Sequence, residues 1–137
     1  MRPMEFEPVV PVERTLDGLM GLTYGERGDG WAEATLEVGD HVRQPAGLVH
    51  GGAYAAIAES LTSMATAIDV WGDGMAAQGL SNTTNFLRPM LSGTIHARAE
   101  RLHRGRTTWV WDVTMKDDEG RVCAITRMVI AVRPRPS

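Results

Sequence analysis

Glu59 is the only charged residue between Arg43 and Asp69. Ahead of it, Gly51 and Gly52 follow His50 at the start of a long run of good helix formers. Two glycines at a helix start leave backbone N–H groups unpaired and unshielded, at the positive end of the helix dipole. Such a position suits a carbonyl oxygen that becomes an oxyanion. A carboxylate and an oxyanion hole are two parts of an acyl-transfer site. At ~1.5 Å per residue, however, the two lie roughly 12 Å apart along one helix. A glutamate side chain does not span that gap to a single carbonyl. If both serve one reaction, they come from two chains of a symmetric dimer.

The element that must carry them is a helix predicted over 51–70. Its larger apolar residues, Tyr54, Ile57, Leu61, Met64 and Ile68, step by three and four along one stripe. Gly72 and Gly74 mark its end. At 100° per residue, Glu59 falls opposite that stripe, beside Ala55, Thr62, Ser63 and Thr66. A solvated face normally carries several charges, whereas this one is small and almost uncharged. The pattern implies a helix covered on both sides, with one carboxylate inside.

Strand patterns flank the helix. Two precede it, over 18–27 and 31–38, joined by a Gly28-Asp29-Gly30 turn. Four follow, over 77–87, 93–102, 107–115 and 122–132, with turns at Arg104-Gly105-Arg106 and at 117–120. Residues 13–16 suit a short helical turn ahead of the first strand. Two strands, a helix and four strands make an α+β pattern, in which one curled antiparallel sheet would bury the helix stripe. Trp109 and Trp111 share a face of their strand and are candidates for a surface between chains. The expected organisation is one domain over 1–137, with an irregular, Pro-containing arm over 1–13 and a tail over 133–137.

Composition narrows the function classes. A net charge of −3 gives no broad argument for nucleic acid or an anionic membrane as partner. No apolar run approaches the 18 residues of a membrane span. Residues 1–12 lack the basic start and apolar run of a secretory signal, and Cys123, the only cysteine, allows no internal disulfide. A cytoplasmic location is therefore expected. His41, His50, His96 and His103 do not fall in zinc-site spacings, so no metal is expected.

Gln44, the Leu48-Val49-His50-Gly51-Gly52 turn, and Ala58-Glu59-Ser60 with Ser63 resemble the hotdog-fold acyl-CoA thioesterases. The likeness runs over roughly 15–132. It is greatest to the phenylacetic-acid-degradation group and its aryl-CoA relatives, the 4-hydroxybenzoyl-CoA and 1,4-dihydroxy-2-naphthoyl-CoA thioesterases. The resemblance implies a long central helix wrapped by a curved antiparallel sheet, and hydrolysis of an aromatic acyl-CoA to free acid and coenzyme A. It implies a homodimer or homotetramer with active sites at the subunit interface, and no metal or redox cofactor.

By the same resemblance Glu59 is the catalytic carboxylate, acting as nucleophile or as general base on water. The Gly51 N–H would hold the oxyanion, and Gln44 would orient the carbonyl or the water. His50 would hold the loop or assist the departing thiolate, and Ser63 would hydrogen-bond the carboxylate or a water. Coenzyme A brings phosphates, for which Arg88, Arg101, Arg104 and Arg106 are candidates, with the Thr107 hydroxyl nearby, and Gly52 at the helix start is a further candidate for binding the substrate. Tyr24, Met64, Trp71, Met75, Phe86 and Met90 are candidates for the acyl pocket. Two other readings use the same scaffold: a non-catalytic acyl-CoA-binding sensor, and a hydratase or dehydratase. The latter normally shows a catalytic Asp and His in a different loop motif, absent here.

Overall fold

The structure, a computed structural model, describes residues 8–136. Residues 1–7 of the expected arm lie outside the described residues, as does Ser137 of the expected tail. A 3-10 turn, Val12–Arg14, leads to a short helix α1, Leu16–Met20. The sequence pattern puts 18–20 in the first strand, and the structure puts them in α1. The reason lies at the helix ends: Thr15 Oγ1 accepts the Gly18 N–H at 3.3 Å, and Gly21, at φ 79°, stops the helix in the left-handed region.

The strands are β1 (Leu22–Gly28), β2 (Trp31–Glu37), β3 (Met75–Phe86), β4 (Thr94–Arg104), β5 (Thr108–Lys116) and β6 (Val122–Pro134). They form one six-stranded sheet in the order β1-β2-β4-β5-β6-β3, and every neighbouring pair is antiparallel. β6 takes residues 133 and 134 from the expected tail, because Arg133 and Pro134 pair with Ala76 and Met75. The long helix α2, Gly51–Trp71, packs against all six strands. One helix inside a curled antiparallel sheet is the hotdog architecture that the resemblance implies.

Small side chains let the helix approach. Ala32 faces Ala99 and Ala34 faces Ala97 across β2 and β4, all four buried. Ile57 and Leu61 sit on this surface, each burial contributing ~1.5–3 kcal/mol. The buried face of α2 is turned relative to the expected stripe. Met64 and Ile68 are only partly buried, while Thr62 and Thr66, expected beside Glu59, are fully buried. Their hydroxyls are satisfied, which makes that burial tolerable. Thr62 Oγ1 donates to the Ala58 carbonyl and Thr66 Oγ1 to the Thr62 carbonyl, both at 2.8 Å. Thr66 Oγ1 also accepts the Trp111 indole N–H at 2.9 Å. Trp109 and Trp111 keep 2% and 1% of their surface, so they are core residues and not a surface between chains.

The opposite face of the sheet carries ion pairs: Arg98 with Glu33 at 2.6 Å, and Arg127 with Asp112 at 2.6 Å. Pairs this exposed contribute little to stability, because solvent screens them. Their charges mark this as the solvent face of the sheet, the helix side being the dry one.

Candidate active site

The loop before α2 closes on itself. Arg43 and Val49 form a β-bridge, the Gln44 N–H donates to the Leu48 carbonyl at 2.7 Å, and the His50 N–H donates to the Val42 carbonyl at 2.8 Å. This clasp sets the Gln44 backbone at the same end of the molecule as the start of α2. The Gln44 side-chain amide makes no hydrogen bond within the described residues, which leaves it free for a ligand.

His50 is the N-cap of α2. Its Nδ1 accepts the Gly52 N–H at 2.8 Å, as an Asn or Ser oxygen does at other helix starts. That bond occupies the Gly52 amide, which sequence reasoning offered to the ligand. Gly51 is then the open donor: its N–H has no partner within the described residues. A Cβ on Gly51 would meet the Phe86 ring at 2.9 Å, so glycine is what lets that ring lie over the helix start. Phe86 itself remains largely exposed and packs at 6.3 Å, tilted, on the ring of Tyr54. Burial pushes the Tyr54 hydroxyl up to about 12, which keeps it protonated.

Two turns further along α2, Glu59 faces outward. Its side chain has no hydrogen bond or ion pair with the described residues, and it borders an open cleft of about 350 Å³ with Leu16, Ala55, Ala56, Ser60 and Asn82. The second cover expected over this face is therefore not supplied by the same chain. β3 runs alongside and is an edge strand of the sheet. Its register shifts between Gly79 and Ser81, and Gly79 presents bare backbone near the Glu59 carboxylate, a Cβ there standing 3.9 Å from Glu59 Cδ. Asn82 fastens strand to helix, its Nδ2 donating to the Ala55 carbonyl at 2.9 Å. Thr84 Oγ1 donates to Asn82 Oδ1 at 2.7 Å and so fixes the amide's orientation.

Beyond Ser60 lies an apolar cavity of about 700 Å³, bordered by α1, α2, β1, β3 and residues 8–12. Ser63, Tyr24, Met64 and Trp71 line it, whereas Met90 is buried in the core and Phe86 lies at the helix start. Asp17 is the group that sequence reasoning missed. Ser60 Oγ donates to Asp17 Oδ1 at 2.6 Å and Tyr24 Oη to Asp17 Oδ2 at 2.8 Å. No local pattern marks a carboxylate 43 positions from its serine partner.

The candidate phosphate ligands do not gather in one chain. Arg88 follows the far end of β3, while Arg104 and Arg106 flank the β4–β5 hairpin at the Gly79 end. Across the register from Phe86 to Gly79 the separation is roughly 23 Å at ~3.3 Å per residue. Arg104 lies over the Trp109 ring at 4.7 Å with its guanidinium still exposed to ligands. Arg101 is committed elsewhere, to Asp29 at 3.0 Å, to Asp69 at 3.7 Å and to the Trp109 ring. Arg106 and Thr107 are exposed at the turn. Cys123 is fully buried, and burial raises its thiol, which suits a packing role. Among the described residues no three His, Cys, Asp or Glu gather as a metal site, and no helix is long and apolar enough to cross a membrane.

One long helix inside a curled six-stranded antiparallel sheet is a hotdog fold, with the Glu59 carboxylate beside its edge strand and the Gly51 amide at the start of the same helix. Comparison with known proteins gives the class. The model of the thioesterase superfamily matches residues 46–124, more than half of the chain, and the protein belongs to that superfamily. The proofreading thioesterase EntH of Cronobacter turicensis is 36% identical over 118 residues, 86% of this chain and 85% of that one. The crystal structure of a mutant of the Pseudomonas aeruginosa thioesterase PA1618 aligns with a TM-score of 0.87 at 35% identity, over 90% of this chain and 89% of that one. The Staphylococcus aureus thioesterase SAV0944 aligns at 0.84 and 29%, over 87% and 98%. In SAV0944 a glutamine and a glutamate fifteen residues apart have each been changed to alanine in a solved structure.

Proposed function

We propose that the protein hydrolyses an acyl-CoA thioester, its acyl group aromatic, to the free acid and coenzyme A. The observation that carries this reading is Glu59: an unpaired carboxylate on a helix face of small residues, next to an apolar cavity. Gln44 and Glu59 stand fifteen residues apart, the separation of the two positions changed in SAV0944.

The working unit is at least a homodimer. β3 offers twelve residues with one edge unpaired, and Leu80, Phe86 and Leu87 on or beside it are 54%, 59% and 58% exposed. A long unpaired edge with exposed apolar side chains among its Asn, Ser and Thr residues invites a second chain. A copy paired there covers the Glu59 cleft and supplies the Gly51 amide that the same helix holds too far away. A homotetramer would be built from two such dimers.

In the reaction, the Gly51 N–H of one chain polarises the thioester carbonyl and holds the oxyanion. Glu59 of the other attacks the carbonyl carbon to give a mixed anhydride, or takes a proton from the attacking water. Gln44 orients the carbonyl or the water. His50 holds the Gly51 amide in line through its cap, and Ser63, which makes no bond to Glu59 in the free chain, offers its hydroxyl to the carboxylate or a water once substrate is bound. Gly52 contributes the lack of a side chain. Arg88 of one chain and Arg104, Arg106 and Thr107 of the other take the coenzyme's phosphates, which fits their separation within a single chain. The chemistry needs no metal or redox cofactor, and the cytoplasm, where acyl-CoA forms, is its place.

The test is thiol release from benzoyl, hydroxybenzoyl, phenylacetyl, dihydroxynaphthoyl and medium-chain acyl-CoA, with wild type and Glu59→Ala. Turnover of an aromatic thioester and a loss of ~100-fold or more in the variant are expected. Full activity in Glu59→Ala, or active monomers, refutes the mechanism. Binding without turnover of any thioester replaces the enzyme by a sensor.

A further inference from the structure

β3 changes step beside Glu59. Gly79 pairs with Ile130 and Ser81 with Val129, so Leu80 has no partner in the ladder and forms a β-bulge. Beyond the bulge Asn82 pairs with Met128 and Thr84 with Thr126. Residues directly opposite each other share a face of the sheet, and Ile130, Met128 and Thr126 are all buried. Gly79 and Asn82, three apart in sequence, therefore both face inward toward α2. In an unbroken strand an odd spacing would put them on opposite faces. Two ladder steps separate them, roughly 6–7 Å.

Glu59 leans toward the same place. Helix side chains tilt back toward the N-terminus, so Glu59 lies over the turn of Ala55 and Ala56, with which it lines the cleft. The Ala55 carbonyl accepts the Glu59 N–H in the helix ladder and the Asn82 amide from outside it, the latter at 2.9 Å. Hydrogen counting fixes what Asn82 offers. Thr84 Oγ1 gives its single hydrogen to Asn82 Oδ1 at 2.7 Å, so the Thr126 hydroxyl, 2.8 Å away, donates to Thr84. The amide cannot be turned over, because its oxygen would then face the Ala55 carbonyl, which only accepts. Of the two hydrogens on Nδ2, one goes to Ala55 and the other has no partner within the described residues. Ser60, also on the cleft, spends its hydrogen on Asp17. The cleft thus sets one unspent side-chain hydrogen, on Asn82, beside one unpaired carboxylate, and a water between them accepts from the first and donates to the second.

We propose that Asn82 is a further catalytic residue, whose second amide hydrogen holds the water that Glu59 deprotonates. This rests on the thioesterase reading of the Glu59 site and selects its general-base route. One hydrogen of the water passes to Glu59 as the water oxygen bonds to the thioester carbonyl carbon, whose π pair moves onto the carbonyl oxygen. Return of that pair breaks the C–S bond, and the departing thiolate takes the proton from Glu59.

The experiment measures kcat and KM on the preferred acyl-CoA for wild type and Asn82→Leu, each with Glu59 intact and on a Glu59→Gln background. With Glu59 intact, Asn82→Leu is expected to lower kcat by roughly 10- to 100-fold, the worth of one hydrogen bond at the reacting water, with KM within about threefold of wild type. On the Glu59→Gln background the further loss should be under about twofold, because no base remains to use the held water. Thr84→Val leaves Asn82 in place but frees its amide, and should lower kcat in the same sense, whereas Thr84→Ser keeps the hydroxyl and restores it. Wild-type kcat in Asn82→Leu, a loss confined to KM, or an equal fold-loss on both backgrounds overturns the proposal. So does label from heavy-oxygen water found in Glu59 after several turnovers, which makes the carboxylate the nucleophile. Should Asn82→Leu not fold, the Thr84 pair decides, and wild-type kcat in Thr84→Val overturns the proposal. If Glu59→Ala is inactive while Asn82→Leu keeps full kcat, this proposal alone falls. If wild type turns over no thioester, the hydrolytic reading falls with it.

Discussion

His50 invites a direct decision between holding the site and doing chemistry in it. Its Nδ1 accepts the Gly52 N–H at 2.8 Å, its backbone carbonyl accepts the Ala53 N–H at 2.9 Å, and its own N–H is tied to Val42. Replacing it by alanine leaves the Gly52 amide without a side-chain partner, though not buried, since Gly52 is exposed. Water takes over part of that bond, so the loss belongs to the middle of the N-cap range, about 1 kcal/mol. Asparagine at position 50 restores a capping oxygen and cannot act as an imidazole. Urea unfolding at fixed protomer concentration should therefore place His50→Ala about 1 kcal/mol below wild type and His50→Asn within ~0.5 kcal/mol of it. If the cap is the residue's contribution, thiol release follows the same order, with asparagine recovering most of what alanine loses. Equal stability but equally poor turnover in the two variants would refute this reasoning and give the imidazole a chemical part.

Two further outcomes test the frame around the site. Thr66→Val keeps the shape of the side chain but removes the acceptor of the buried Trp111 N–H, and a stability loss of ~1–3 kcal/mol is expected. On a Trp111→Phe background the same change should cost clearly less, and strict additivity of the two in unfolding measurements would disprove the coupling. The acid side of the stability profile is set in part by the 117–121 turn. Burial would raise the Asp117 carboxyl, but hydrogen bonds from Arg121 and Glu119 outweigh it and leave it below its usual range. Asp118 is lowered too, by His96 first and then by the Thr94 N–H. Lowered carboxyls contribute stability above their unfolded-state pKa of about 4 and lose it as pH falls through the lower folded-state values. The deficit of Asp118→Asn in urea midpoint should thus be present at pH 7 and shrink below about pH 4.

The sequence by itself determined the central helix, its start at Gly51, the six strands and their turns, and the lone carboxylate on a face of small residues. These are local properties: periodicity, helix stops and glycine-marked turns act within a few residues. It also carried the Gln44, Gly51 and Glu59 pattern on which the resemblance to the hotdog thioesterases rests. The tertiary structure decided the rest. The Trp pair and Thr66 look like surface in a pattern of types, and only the meeting of α2 with β5 puts them in the core with their polar atoms matched. His50 has two readings in the chain and one geometry in the fold, because its ring turns back on the Gly52 amide. Asp17 had no signal at all. Its carboxylate acquires meaning only when α1 docks against α2 and β1, bringing Ser60 and Tyr24 to its two oxygens from distant points along the chain. Spacing along a helix or strand records which side chains share a face. Which faces meet is settled by packing across the sheet, and a hydrogen-bonded cluster drawn from three elements exists only after that packing is complete.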